Sequence, residues 1–260
     1  EADFPMFAKV HANGDAAHSY KLDVGDVDNR TGELTSNADL SITGQRLDNS
    51  DGGQVFAAAG LSVAVDNVLN RVRGQLNGQR LTLTGTALDN SGGKLLSQQL
   101  LVVDLAGDLT NNQGLLSSED TLDVKARSLD NTKGSLSSAQ GLNVVVSDNL
   151  NNQGGELVTD ANLVLRSANL GNQQGTLSGK GPVSVTTGAL NNQAGRLNSG
   201  DTLTLVAGQV NNGGSIGSAK ALNATVTGLD QQAGKLFSQA GLSLDLGNGQ
   251  LNNRGGLINT

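Results

Sequence analysis

The chain has 260 residues, of which 36 are glycine and only 2 proline, with no cysteine, no tryptophan and 2% aromatics. This excludes a disulfide-stapled domain and argues against an ordinary enzyme core, because an interior so poor in rings must be filled by stacked Leu, Val and Ile. The net charge of -7, from 17 basic and 24 acidic residues without a basic block, gives little attraction for phosphate backbones and excludes nucleic acid as a partner.

The N-terminal run Glu1-Ala2-Asp3-Phe4-Pro5 lacks the basic and apolar regions of a signal peptide. No stretch approaches the ~18 apolar residues of a spanning helix, so no membrane insertion by this segment is expected. Absent cysteine is compatible with an oxidising exterior and with export as an unfolded thread. Residues 1–26 read as a partial or degenerate coil, in which Leu22-Asp23-Val24 could supply the last strand of one earlier turn. From residue 27 to residue 260 the chain is one repeat domain.

The repeat appears when the chain is cut before each Leu or Val that stands two residues ahead of an Asn. The cuts fall at Val27, Leu47, Val68, Leu88, Leu109, Leu129, Leu150, Leu170, Leu190, Val210, Leu229 and Leu251, in nearly even steps. The early steps alternate between a shorter copy and one that is a single residue longer, which suggests a double repeat. Within each copy a second apolar column runs Leu34, Val55, Leu76 and onward to Leu236 and Leu257. A third runs from Leu40 to Leu242, and two residues beyond it lies a fourth that includes Ile42, Val63, Leu83 and Leu244. A spacing of two is strand spacing, and nothing between the columns is long enough for a helix. The expected fold is therefore all-β, a right-handed parallel β-helix (solenoid) of about twelve roughly 20-residue coils.

Asn29, Asn49, Asn70, Asn90, Asn111, Asn131, Asn152, Asn172, Asn192, Asn212 and Asn253 form a column broken only by Gln231. Asn tolerates turn geometry, and its amide can bond to the next coil at a rise of ~4.7–4.9 Å, so these residues are expected to be a structural turn ladder. The glycines that follow, such as Gly32, Gly93, Gly134, Gly155, Gly175, Gly195 and Gly234, read as turn positions with positive φ rather than as phosphate loops.

Catalytic chemistry finds little support. The small column from Ser36 to Ser238 points inward and has no histidine base, since the only histidines are His11 and His18. His11, Asp15 and His18 match no standard metal spacing. Asp48, Asp89 and Asp130 share one motif position in alternate copies, so paired carboxylates would stand two coils apart, and they read as a solvated face. Calcium-binding Gly-Gly-x-Gly-x-Asp tandems are missing, and the outward column Ser41, Ser62, Thr82, Val102, Asp123 is too irregular for an ice lattice. No enzyme activity, cofactor or metal is expected.

Units such as Leu88-Asp89-Asn90-Ser91-Gly92-Gly93-Lys94-Leu95 and Leu150-Asn151-Asn152-Gln153-Gly154-Gly155-Glu156-Leu157 resemble the hemagglutinin repeats of filamentous hemagglutinins and of contact-dependent growth inhibition effectors. The resemblance extends over about residues 27–260. It implies an exoprotein of Gram-negative bacteria, passed through an outer-membrane two-partner secretion transporter and held as a filament on the cell surface. A secretion domain and a toxin domain, found in complete members, are not present in this sequence. The expected role is a non-catalytic shaft that presents a distal toxic region, or a distal region that binds a host or bacterial surface receptor. The alternatives are a receptor- or glycan-binding module in the same filament, or a toxin-delivery repeat block. For binding, the irregular stretches Asp66 to Arg73 and Gly247 to Gln250 are the places to search.

Overall fold

The computed structural model describes residues 19–260. Among them there is no helix; thirty strands join into one continuous sheet in which every pairing is parallel. A chain whose apolar columns recur at a near-constant interval but alternate locally with polar residues can bury them only by winding, and each turn then pairs its amides with the next.

One coil shows the plan. Ser128–Asp130, Ser135–Ser138 and Gly141–Val146 are its three strands. Leu129 pairs with Leu109 before it and Leu150 after it; Leu136 with Leu116 and Leu157; Leu142 with Leu122 and Leu163. The columns seen in the sequence are thus stacked like onto like, and Leu136, Leu142 and Val144 are wholly buried. The three strands meet at an asparagine corner, a serine corner and a third corner that in several coils is only a bend within one strand, as in Leu203–Asn211.

A fifth inward column, not visible in the sequence, follows the fourth: Gly44 pairs with Val65, Gly85 with Leu105, Ala126 with Val146 and Ala207 with Val226. Its residue types vary because the third corner varies in shape, which hides the periodicity. At Ser167 and Thr187 the column is polar and closes on itself through a hydroxyl bond of 3.0 Å. Ala224 fills the fourth column between Leu205 and Leu244.

The unequal steps have local causes. The longer step after Leu47 comes from an extra residue between Asn49 and Gly53, whereas those after Leu88 and Leu129 come from the third corner. The double repeat is therefore not a structural unit. The long last step places the extra residues in the exposed segment between Asp245 and Leu251. Counted from Leu251, the second column falls on Ile258 at the same interval that separates Leu229 from Leu236, so Leu236 pairs with Ile258 and the assignment of Leu257 to this column is corrected. Leu257 is instead 48% exposed. Upstream, Tyr20–Asp23 pairs with Leu40–Thr43 and lays Leu22 beside Ile42.

Candidate functional site: the asparagine corner

At each asparagine corner the chain must turn and pass a hydrogen bond to the coil above. In most coils Asn opens a β-turn whose third residue is left-handed and whose fourth is the column glycine. Lys133 (φ 53) and Gln174 (φ 56) occupy the left-handed place, and Gly134 N donates to Asn131 O at 2.9 Å. The column glycines Gly32, Gly93, Gly134, Gly155, Gly175, Gly195 and Gly234 thus do not hold positive φ; the residue before each of them does. They are glycine for another reason. A Cβ on Gly134 would lie 2.0 Å from Asn111 O and 2.6 Å from Asn131 Oδ1, so the turn packs directly against the stacked asparagines.

The asparagine side chains run as a chain of amides with one direction. Asn29 Nδ2 donates to Asn49 Oδ1 at 2.7 Å, and the same link continues through Asn70, Asn90, Asn111, Asn131, Asn152, Asn172, Asn192 and Asn212 at 2.7–2.9 Å. Gln231 accepts from Asn212 at 3.0 Å and donates to Asn253 at 3.1 Å, its extra methylene reaching across a coil with altered spacing. Each central Nδ2 also reaches two carbonyls: Asn131 donates to Gly134 O in its own turn and to Glu156 O in the next coil. From Asn49 to Asn212 these side chains are fully buried, so every bond replaces one that water can no longer offer.

The position just before the asparagine has a second role that the sequence reading missed. Asp48, Asp89 and Asp130 are not a solvated face, because each carboxylate turns back to accept the backbone N–H two residues on, from Ser50, Ser91 and Thr132 at 3.0–3.1 Å. Asp48 is buried and Asp89 and Asp130 are half-buried. Asn151 and Asn191 make the same contact, which explains why Asp and Asn exchange there. The Asx pattern two residues ahead of the turn was the available signal.

At the serine corner the small column is inward and buried. Ser199 Oγ donates to Thr202 O at 2.7 Å and accepts Asp201 N at 3.1 Å, and it also reaches Gly181 O of the coil before at 3.0 Å, as Ser118 Oγ reaches Gln99 O at 2.6 Å, so these hydroxyls bind corner backbone within and between coils. His11, Asp15 and His18 lie outside the described residues. Among the described residues no group of three or more His, Cys or acidic side chains is placed to hold a metal.

The surface carries isolated ion pairs, several of them between coils. Lys180 reaches Asp160 and Lys220 reaches Asp201, both at 2.6 Å, and Arg127 reaches Asp108 at 2.8 Å. Hydrogen bonds from the Arg30 guanidinium pull the Asp28 carboxyl down to about 2. The Ser128 hydroxyl and Arg127 lower Asp108, and Lys220 lowers Asp201. Those shifts hold carboxylates ionised, which suits ion pairing rather than proton donation. Surface recesses are shallow and lined by outward strand residues, as around Val102, Asp104, Lys125 and Val145.

Among known families, the haemagglutinin repeat matches the chain over residues 10–113, 104–154, 147–207 and 204–260. No curated protein and no solved structure matched the chain. No helix among the described residues is long and apolar enough to cross a membrane. With the repeat model covering nearly the whole chain and the coils stacking in the same phase, the chain belongs to the haemagglutinin-repeat family.

Proposed function

We propose that this chain is a rigid, non-catalytic shaft segment of a secreted filamentous adhesin, or of a contact-dependent inhibition effector, held on the outer surface of a Gram-negative bacterium. Export through an outer-membrane two-partner secretion transporter belongs to the same reading and rests on the family alone. The observation that supports the shaft most directly is the amide chain from Asn29 to Asn253, buried as far as Gln231, which passes from coil to coil without interruption. A solenoid of twelve coils at the strand spacing spans about 55–60 Å. Such a rod is stiff because bending would stretch amide bonds on one corner while compressing a packed core on the opposite side. Its work is geometric: it sets distance and orientation for whatever is attached.

The test is to delete two whole coils, from Asn131 to Gly171, in the filament that carries this segment. The rejoined coils keep the column phase. Surface display and adhesion should persist while the filament shortens by about 10 Å, two strand spacings. Loss of adhesion with display intact would reject a shaft and favour a receptor-binding segment.

A further inference from the structure

We propose that the corner Arg71-Val72-Arg73 is a recognition loop for an acidic protein surface, one with an apolar pocket rimmed by carboxylates. The inference rests on a comparison of two adjacent coils that solve the same problem differently. Both have one extra residue at the asparagine corner, and both close it with two successive left-handed residues. The first uses Asp51 (φ 57) and Gly52 (φ 83), residue types that take this conformation readily. The second uses Val72 (φ 49) and Arg73 (φ 66), a β-branched residue and a long one, for which it is strained. The backbones are in register, since Asp51 N donates to Arg71 O and Gly52 N to Val72 O at 3.0–3.1 Å. The relaxed solution therefore fits this rod one coil away. Strain retained where a relaxed residue fits points to a use for the side chains themselves.

Those side chains have the character of a contact. Val72 is 53% exposed, the most exposed of the large hydrophobics among the described residues. The corners on either side place Gly52 and Gly92 next to this loop, and neither has a side chain that could cover it; a Cβ on Gly52 would meet nothing within 4 Å. Arg71 and Arg73 are exposed and make no ion pair among the described residues, in a chain of net charge -7. An apolar knob between two unpaired guanidinium groups complements a carboxylate-rimmed apolar pocket, because guanidinium pairs with carboxylate in a planar fork while the valine is desolvated between them. A hydrated anionic polysaccharide would use the arginines and leave the valine idle, so a protein partner fits better.

The proposal does not depend on the shaft reading: a shortened filament that still adheres tests the shaft, and the following tests the loop. The variant Arg71→Ser/Val72→Asp/Arg73→Gly copies the neighbouring corner Ser50-Asp51-Gly52 and should fold at least as well as the parent. Both rods would be titrated against an array of short peptides in which a Leu or Phe is flanked by Glu, with Gln-for-Glu counterparts and heparin alongside. Saturable binding to the Glu peptides is expected, weakened at least about tenfold, or ~1.4 kcal/mol, in the variant. The Gln counterparts should bind correspondingly weakly, and Val72→Ala alone should weaken binding without altering its salt dependence. Equal binding by the variant, no binding to any peptide, or binding to heparin alone would overturn the proposal.

Discussion

Replacing Asn131 by Ala tests whether the amide chain stabilises the rod or merely accompanies it. The substitution removes donors to Asn152 Oδ1 at 2.8 Å, Glu156 O at 3.1 Å and Gly134 O at 3.2 Å, and the acceptor that Asn111 Nδ2 meets at 2.7 Å. Asn111 keeps its bonds to Gly114 O and Ser135 O, but Asn152 Oδ1 loses the side-chain donor that satisfied it. At ~0.5–1.5 kcal/mol net for each bond and ~1–3 kcal/mol for a stranded buried acceptor, the expected loss is about 3–5 kcal/mol. The exposed neighbour Gln153→Ala should change stability by less than ~0.5 kcal/mol. Denaturant unfolding gives the totals, and hydrogen exchange should place the new opening at the coils around residue 131, since a solenoid loses stability locally. Asn131→Asp adds a second reading. Its buried carboxyl faces the Asn152 oxygen, so its folded pKa must rise above the unfolded value of ~3.9. The resulting destabilisation is full above the folded pKa and shrinks as pH falls toward ~4. An Ala variant within ~0.5 kcal/mol of the parent, or an Asp variant indifferent to acid, would refute a stabilising role for the ladder.

Other consequences separate causes that the sequence confounds. Gly134→Ala should cost about 3 kcal/mol by driving a methyl into Asn111 O, whereas Gly154→Ala, with φ +62 and only Lys133 Cγ nearby, should cost about 1 kcal/mol; thermal melts would rank them. Gln231→Asn should lose about 1–2 kcal/mol, because the shorter amide cannot keep both Asn212 and Asn253, and an unchanged unfolding midpoint would refute the spanning role. Val72→Asp together with Arg73→Gly should stabilise the rod by about 1–2 kcal/mol by relieving left-handed strain, as read in chemical denaturation. Asp28 should titrate near 2 by carboxyl NMR. Its pKa is depressed, so the contribution of the Arg30 pair is present above ~3.9 and is lost as pH falls through 2; with both partners open to solvent, the change in stability across that window should be small.

Local pattern carried much of this molecule. Leucine and valine at strand spacing, repeated at the same phase in copy after copy, leave few ways to bury the apolar side except stacking, so the columns through Leu129, Leu136, Leu142 and Val144 could be written down from the chain alone. The asparagine column was equally legible as a repeated turn, because nearly every copy shows the same residue at the same phase. What the sequence could not decide is how neighbouring coils touch. Glycine after a turn asparagine suits a left-handed φ and a close approach equally well, and only the position of Asn111 O beside Gly134 distinguishes them. Asp48, Asp89 and Asp130 are a different case: each accepts the N–H two residues on within its own coil, and the Asx spacing ahead of the turn announces that contact in the sequence. The fifth inward column is set by the shape of the third corner, which changes register without changing composition, whereas Ile258 in place of Leu257 can be counted from Leu251 at the usual interval. Periodicity is a property of one coil and can be read along the chain; clearance and register are properties of two coils, and they exist only once those coils are stacked.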